Sequence, residues 1–338
     1  MRCRWRGGGS GIRIRGFCEA VDSARDLSQA AKPPMHSTFH RVRITESLLA
    51  SARQARATLG CGTLGAAYAA ALPVLIDFLG MPWLATHVTG SSSPTDFFRN
   101  NWDVDGNYTE HNLRIIQLAE LLLNLQVVPG FRDVLNRLIA DEPEAIIAEF
   151  ETARLLSFSG IRFAFRLPVG KSGSDYDLNI FFENHPIAGE TKCKIDTTDS
   201  TPDKLLRVLK RSARKQMPKD MAGIFFIKIP NSWIKHPNPN ELQHAVVNPL
   251  FERYKRIVAV YFYCNLADDL ITHVCPVTLM NCHLNQDHRF DKAVRWDNLF
   301  KQLSGVPNWW LDIGRIAADG HGVTIRDQLG ERFITSPS

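Results

Sequence analysis

The chain has 338 residues, a hydrophobic fraction of 44% and a formal charge of +5 at pH 7, which allows two domains with a substantial core and excludes both a polar disordered chain and a fibrous one. The positive charge is local: residues 1–34 hold seven Lys/Arg against Glu19, Asp22 and Asp26, so no global field draws in nucleic acid and any attraction must come from patches. Seven cysteines (Cys3, Cys18, Cys61, Cys193, Cys264, Cys275, Cys282) form no even framework and no CxxC pair, which excludes a disulfide scaffold and points to a reducing compartment, the cytoplasm.

Residues 1–40 read as a disordered basic segment, Arg-rich with Gly7-Gly8-Gly9-Ser10 and Pro33-Pro34, unable to bury a core. It lacks the apolar region of a secretory signal; an organelle transit peptide and a natural start at Met35 are both compatible with it. Residues 41–140 read as a helical region, opening at Thr45-Glu46 and including an apolar helix from Glu110 to Val127. Leu59 to Ile76 is an uncharged run of eighteen residues. Gly60, Gly62, Gly65 and Pro73 interrupt it and Asp77 follows, so a buried helix is expected rather than a membrane span.

Asp141 as N-cap and Pro143 at the first position predict a helix over Glu144–Phe158, closed by Gly160. Its Glu149 and Glu151 both flank the apolar residues Ile146, Ile147, Phe150 and Ala153, so periodicity does not choose between them. Ile161 to Val169 then alternates as a strand. From Ser174 to Asp196 the pattern is a β-hairpin: Tyr176, Leu178, Ile180 and Phe182 take one parity and Asp177, Asn179 and Glu183 the other, and Glu190, Lys192 and Lys194 share a face on the returning strand. A turn centred on Asn184-His185 sets Asp177 opposite Lys192 and Asn179 opposite Glu190. Two carboxylates with open positions between them suit a hard divalent cation, Mg²⁺ with Mn²⁺ as substitute, whose shell is completed by water and phosphate oxygens. Lys192 on the same face is fit to orient or deprotonate a water, or to act as a point charge on a transition state. Without such chemistry the same face is an ordinary solvated hairpin with a cross-strand ion pair.

Thr201-Pro202-Asp203 starts a helix, and between Lys204 and Lys219 there are seven cations and no acid. This is a phosphate-binding footprint, with Lys210, Arg211 and Arg214 on it and Lys194 just before it as candidate nucleic-acid contacts. Gly223 to Ile229 is a nearly all-apolar strand; a helix over 240–254 and strands Ile257–Tyr263 and Ile271–Leu279 follow. The extension 283–338 holds Trp296, Trp309 and Trp310, expected to cap a core. Gly170-Lys171-Ser172 lacks the first glycine of a phosphate loop, and His273, Cys275, Cys282, His283 and His288 fit no usual zinc spacing, so structural roles are expected.

An Asp on one strand followed by Glu-x-Lys on the next, here Asp177 with Glu190-Thr191-Lys192, resembles the PD-(D/E)XK nuclease superfamily. Tyr176 stands where the family has proline, and Asp175 is an alternative aspartate of the same parity. The resemblance implies a restriction-endonuclease-like α/β domain over 141–282, a mixed sheet flanked by helices, preceded by the mostly helical region. It also implies metal at Asp177 and Glu190, catalysis by Asp177, Glu190 and Lys192, and a glutamate from the preceding helix, for which Glu151 is preferred over Glu149. The expected activity is Mg²⁺-dependent endonucleolytic hydrolysis, with DNA as partner, no membrane, and a homodimer where both strands are cut. A catalytically inactive nucleic-acid-binding module on the same scaffold is the alternative.

Overall fold

The computed structural model describes residues 63–88, 108–140, 143–167, 170–183, 185–193, 201–234, 236–266, 277–290 and 294–304, with Gln54, Ile313 and two short strand pieces. The chain divides into two compact units, Met1–His40 and Arg41–Ser338, and every element below belongs to the second. The expectations for the basic N-terminus, Thr45, Asp141, Lys194, Trp309 and Trp310 lie outside the described residues.

Among the described residues nine helices surround a six-stranded mixed open sheet, an α/β architecture. In chain order they are α1 (Thr63–Leu79), α2 (Met81–His87), α3 (Tyr108–Leu125), α4 (Phe131–Ala140), α5 (Pro143–Phe158), β1 (Arg162–Phe165), β2 (Leu178–Phe182), β3 (His185–Cys193), α6 (Pro202–Lys215), β4 (Ala222–Lys228), α7 (Asn231–Ile234), α8 (Pro239–Arg253), β5 (Ile257–Leu266), β6 (Val277–Leu284) and α9 (Trp296–Ser304). The strands lie in sequence order. β1, β2 and β3 are antiparallel neighbours, β3, β4 and β5 are parallel, and β6 is antiparallel to β5.

The two faces of the sheet carry separate cores. On one, Phe163, Phe165, Leu178, Ile180, Ile224, Phe226 and Tyr261 join the apolar sides of α1 and α3–α5. On the other, Phe225, Ile227, Val260 and Phe262 pack with Leu205, Leu209 and Ala213 of α6 and Val246, Val247 and Leu250 of α8. All seven residues of β4 are buried, as an unbroken apolar strand requires when helices cover both faces. The Ala-rich run lies inside the first core from Ala67 onward, and no single helix among the described residues is long and apolar enough to cross a membrane.

α5 ends where Gly160 adopts φ 67, a left-handed conformation that glycine enters without strain; the amides of Gly160 and Ile161 donate to Ser157 and Leu156 carbonyls at 3.0 Å each. The hairpin pairing differs from expectation by two residues: Phe182 pairs with His185 and Leu178 with Gly189, and Glu183 leaves β2 at φ 45. A two-residue slip keeps every side chain on its expected face and changes only which groups stand opposite. β6 is described from Val277 and runs to Leu284, five residues past the expected end at Leu279; residues 271–276 of the expected strand lie outside the described residues. Cys282 lies opposite Tyr261 in the first core, while His283 Nε2 hydrogen-bonds Gln243 Oε1 of α8 at 2.7 Å. Adjacent strand residues point to opposite faces, so these two do not share a metal.

Candidate active site

Asp177 precedes β2 by one residue and continues its ladder: its amide donates to Gly189 O at 3.0 Å and its carbonyl accepts from the Arg166 amide at 2.9 Å. Gly189 is also the register partner of Leu178, so the strand is irregular at Asp177, which is not opposite Lys192; its charge nonetheless acts on Glu190, Lys192 and Glu149. The Thr191 amide donates to Asp177 Oδ2 at 2.7 Å, fixing that carboxylate against β3. Gly189 lets the strands approach here, because a Cβ at that position would come 2.8 Å from Ile180 Cδ1.

Glu190 is 0% exposed. Lys192 Nζ stands 2.5 Å from its Oε1, while Oε2 is buried with no hydrogen-bond partner. A carboxylate oxygen orphaned in this way costs on the order of 1–3 kcal/mol, more when ionised, unless something is there to meet it. A third acid enters from α5. Glu149 is buried and accepts a bidentate pair from Arg137 of α4 at 2.8 and 3.0 Å.

Electrostatics tie these groups into one cluster. Burial, and next the charge of Asp177, push the Glu149 carboxyl up to about 8 against the opposing effect of Arg137 and Lys192. Burial and Asp177 likewise raise Glu190 well above the ordinary range. Burial also raises Asp177, opposed by Lys192, the Thr191 amide and Arg137. For Lys192 burial favours the neutral amine, yet Glu190 and Asp177 outweigh it and hold its pKa above the ordinary value. Lys192 is thus an ammonium at neutral pH, a donor and point charge rather than a proton acceptor.

Glu151, the glutamate preferred from the sequence, lies elsewhere. It is buried, and Lys228 Nζ of β4 pairs with its Oε1 at 2.8 Å, joined by Asn265 Nδ2 at 2.7 Å. Thr278 donates to Asn265 Oδ1 at 2.8 Å and Arg154 Nη2 to Thr278 Oγ1 at 2.9 Å. This network belongs to β4–β6, and the structure brings Glu149 instead of Glu151 to Asp177. Residues two apart on a helix point roughly 200° apart, so one carboxylate faces the sheet interior when the other faces the hairpin. The sequence does contain a signal: Lys228 ends an otherwise apolar buried strand and requires a buried acid. Nothing comparable marks Arg137.

The basic helix is α6. Thr201 Oγ1 caps it by accepting from the Lys204 amide at 3.3 Å, Leu205, Leu209, Ser212 and Ala213 face inward, and Lys204, Arg207, Arg211, Arg214 and Lys215 are exposed, with Lys210 half-buried. Its C-terminus is tied to the loop that delivers Asp177: the Gly173 amide donates to Lys215 O at 2.5 Å and the Asp175 amide to Gln216 O at 3.1 Å. Asp175 and Gly170-Lys171-Ser172 belong to this connection. Glu190 pairs in register with Phe225, and Phe225 packs with α6; directly paired residues share a face, so α6 covers the face that bears Glu190 and Lys192.

Among the described residues no three His, Cys, Asp or Glu side chains form a ready ligand set. The donors on offer are Asp177 and the orphaned Glu190 oxygen, in a cluster whose three carboxylates outnumber its two cations. That fits a divalent ion that keeps several waters, as Mg²⁺ does. No family model matches the chain, and no curated protein or solved structure matches it.

Proposed function

We propose that the chain is a metal-dependent endonuclease that hydrolyses phosphodiester bonds in DNA, on a restriction-endonuclease-like scaffold of the PD-(D/E)XK kind. The single observation that carries this reading is the buried cluster of Asp177, Glu190 and Glu149 around Lys192, with one Glu190 oxygen unpartnered. Support also comes from the order α5, β1, β2, β3, α6, β4, the core order of that superfamily, and from the cations of α6 beside the loop bearing Asp177.

In this reading Asp177 and Glu190 would hold Mg²⁺, which when bound would supply a water of lowered pKa and offset negative charge on the phosphate. Lys192 stays protonated and places positive charge where the phosphate oxygens gather. Glu149, which holds its proton up to about 8 and is oriented by Arg137, is suited to give that proton to the leaving oxygen. One observation favours the alternative of a catalytically inactive nucleic-acid-binding module: the 2.5 Å contact of Lys192 with Glu190 also suits a purely structural pair.

Cleavage of supercoiled plasmid and of single-stranded circular DNA with Mg²⁺, Mn²⁺ or EDTA separates the two. The expected result is metal-dependent nicking that is abolished in Asp177→Ala and in Lys192→Ala, both still folded by circular dichroism. Full activity in both variants refutes the assignment.

A further inference from the structure

α6 presents two different sides. Leu205, Leu209, Ser212 and Ala213 face the sheet, over the face that bears Glu190, whereas Lys204, Arg207, Arg211, Arg214 and Lys215 are exposed. At about 100° per residue these five lie opposite the buried ones, so they form a ridge that points away from the acids. From Lys204 to Lys215 it is about 16 Å long at a rise of ~1.5 Å per residue.

Solvation alone does not account for such a ridge. No acid lies between Lys204 and Lys219, so Arg207 with Arg211, Lys210 with Arg214, and Arg211 with Lys215 are like-charged pairs at i,i+4, each of which weakens a free helix. α8, packed in the same core, shows the ordinary mixture instead, exposing Glu241 and Glu252 with Arg253. A second basic segment joins the ridge, where the end of α8 and the start of β5 abut the C-terminal half of α6. Tyr254 OH donates to Lys210 O at 3.1 Å, and Arg256 Nη2 donates to Ala213 O. The Arg289 amide donates to Lys255 O at 3.0 Å, and the charge of Arg289 adds to burial in pushing Arg256 down. Arg253, Lys255, Arg256 and Arg289 thus extend the seven cations of 204–219, against the acids Asp203, Asp220, Glu252 and Asp287. Asp287 is already paired with Lys255 at 3.2 Å, and the loop at the C-terminus of α6 adds one charge of each sign, Lys171 and Asp175.

The apolar side of α6 is occupied by the sheet, which leaves nothing to insert into a lipid surface. α6 has no aromatic residue, and the Tyr254 ring is half-buried with the Arg253 and Arg256 guanidiniums 5.8 and 5.3 Å from its centre, so the bases of a single strand find no stacking platform. A partner recognised by charge alone fits: a duplex carries one phosphate charge per ~1.7 Å of axis, about nine along the ridge. We infer that the outer ridge of α6, continued by residues 253–256, docks the backbone of a nucleic-acid duplex without metal. This rests on the nuclease reading for DNA as the partner and sharpens it. α6, about 10–12 Å thick with its side chains, stands between the ridge and the face bearing Glu190, so the ridge holds phosphates of flanking duplex and not the one that is cut.

The test is fluorescence anisotropy of a labelled DNA duplex and of a single strand of equal length, with the full chain in EDTA over a range of salt. Wild type is expected to bind the duplex more tightly than the single strand. In Arg207→Gln/Arg211→Gln/Arg214→Gln the slope of log affinity against log salt is expected to fall by about 2.7, at ~0.9 per lost duplex contact. The melting temperature of this variant is expected to equal or exceed that of wild type, since like charges are removed. Arg253→Gln is expected to lower the slope by about 0.9, and Lys301→Gln, which removes an exposed cation of α9, to leave it unchanged. No duplex binding by wild type, a wild-type slope in the triple variant, an equal fall in Lys301→Gln, or a single strand bound as tightly as the duplex overturns the ridge. An unchanged slope in Arg253→Gln overturns its continuation past α6. Capture by phosphatidylserine vesicles that the triple variant loses while it keeps duplex binding overturns the ridge in favour of lipid. Duplex binding that the triple variant loses, in a protein that never cleaves with Mg²⁺, upholds the ridge and removes the hydrolase reading; wild-type binding by a triple variant of a protein that does cleave removes the ridge alone.

Discussion

Glu149 and Glu151 sit two residues apart on α5, both are buried, and they occupy opposite kinds of surroundings. Glu151 is saturated: Lys228 and Asn265 donate to one oxygen at 2.8 and 2.7 Å, and Tyr263 OH approaches the other at 3.5 Å. Glu149 has Arg137, but it shares its field with Asp177 and Glu190 and is held up near 8. A polar network with every member partnered rigidifies a core. A cluster with surplus negative charge and an orphaned oxygen leaves energy for a ligand to recover. One helix thus bears a fully partnered buried acid and a buried carboxyl set among like charges.

Substitution of each glutamate is the sharpest way to break that contrast. Glu149→Gln is expected to lower metal-dependent cleavage by roughly 10²–10⁴-fold, the usual worth of a proton-transfer group, with unfolding in urea unchanged or shifted to higher concentration as acidic repulsion is relieved. Glu151→Ala is expected to destabilise by about 3–5 kcal/mol in the same urea titration, because Lys228 is left charged and buried. Cleavage per folded molecule then stays near wild type. Equal destabilisation by both substitutions contradicts the distinction.

A smaller effect appears with pH. Glu149 keeps its proton in the folded state up to about 8, while the unfolded chain releases it near the ordinary glutamate value of about 4.3. Between those values the folded state binds more protons than the unfolded one, so stability without metal falls as pH rises through this window. Melting temperature in EDTA is expected to drop by several degrees from pH 5 to pH 8, and Glu149→Gln to flatten the profile. A profile in the variant as steep as in wild type assigns the loss to other groups.

How much of this was legible beforehand follows from the same residues. Period-two alternation put Asp177, Glu190 and Lys192 on one face; the slip of two residues keeps Glu190 and Lys192 together, but alternation cannot register the break at Asp177, whose amide bonds to the partner of Leu178. The register was misplaced because the connection has no glycine to mark its positive-φ position, which Glu183 takes at φ 45. Glu151 was preferred over Glu149, which the structure sets in the field of Asp177, for a different reason. Thirteen of its sixteen residues are buried, since the helix lies between the sheet and other helices, so no polar face existed to orient it. α6, with helices on one side and water on the other, was readable down to its Thr201 cap. The strands of the parallel centre were readable from their apolar runs, but the end of β6, at Leu284 and not Leu279, was not.

The most direct test is the thermal melt of the full chain at pH 8 with and without Mg²⁺, for wild type, Glu190→Gln and Glu151→Gln. A ligand that binds only the folded state raises its stability by RT ln(1 + [L]/Kd). The account predicts a Mg²⁺-dependent rise in wild type, the same rise from a lower starting point in Glu151→Gln, and none in Glu190→Gln. A rise of equal size in all three, or no rise in wild type, contradicts the claim that the Asp177–Glu190 cluster is a metal-binding active site.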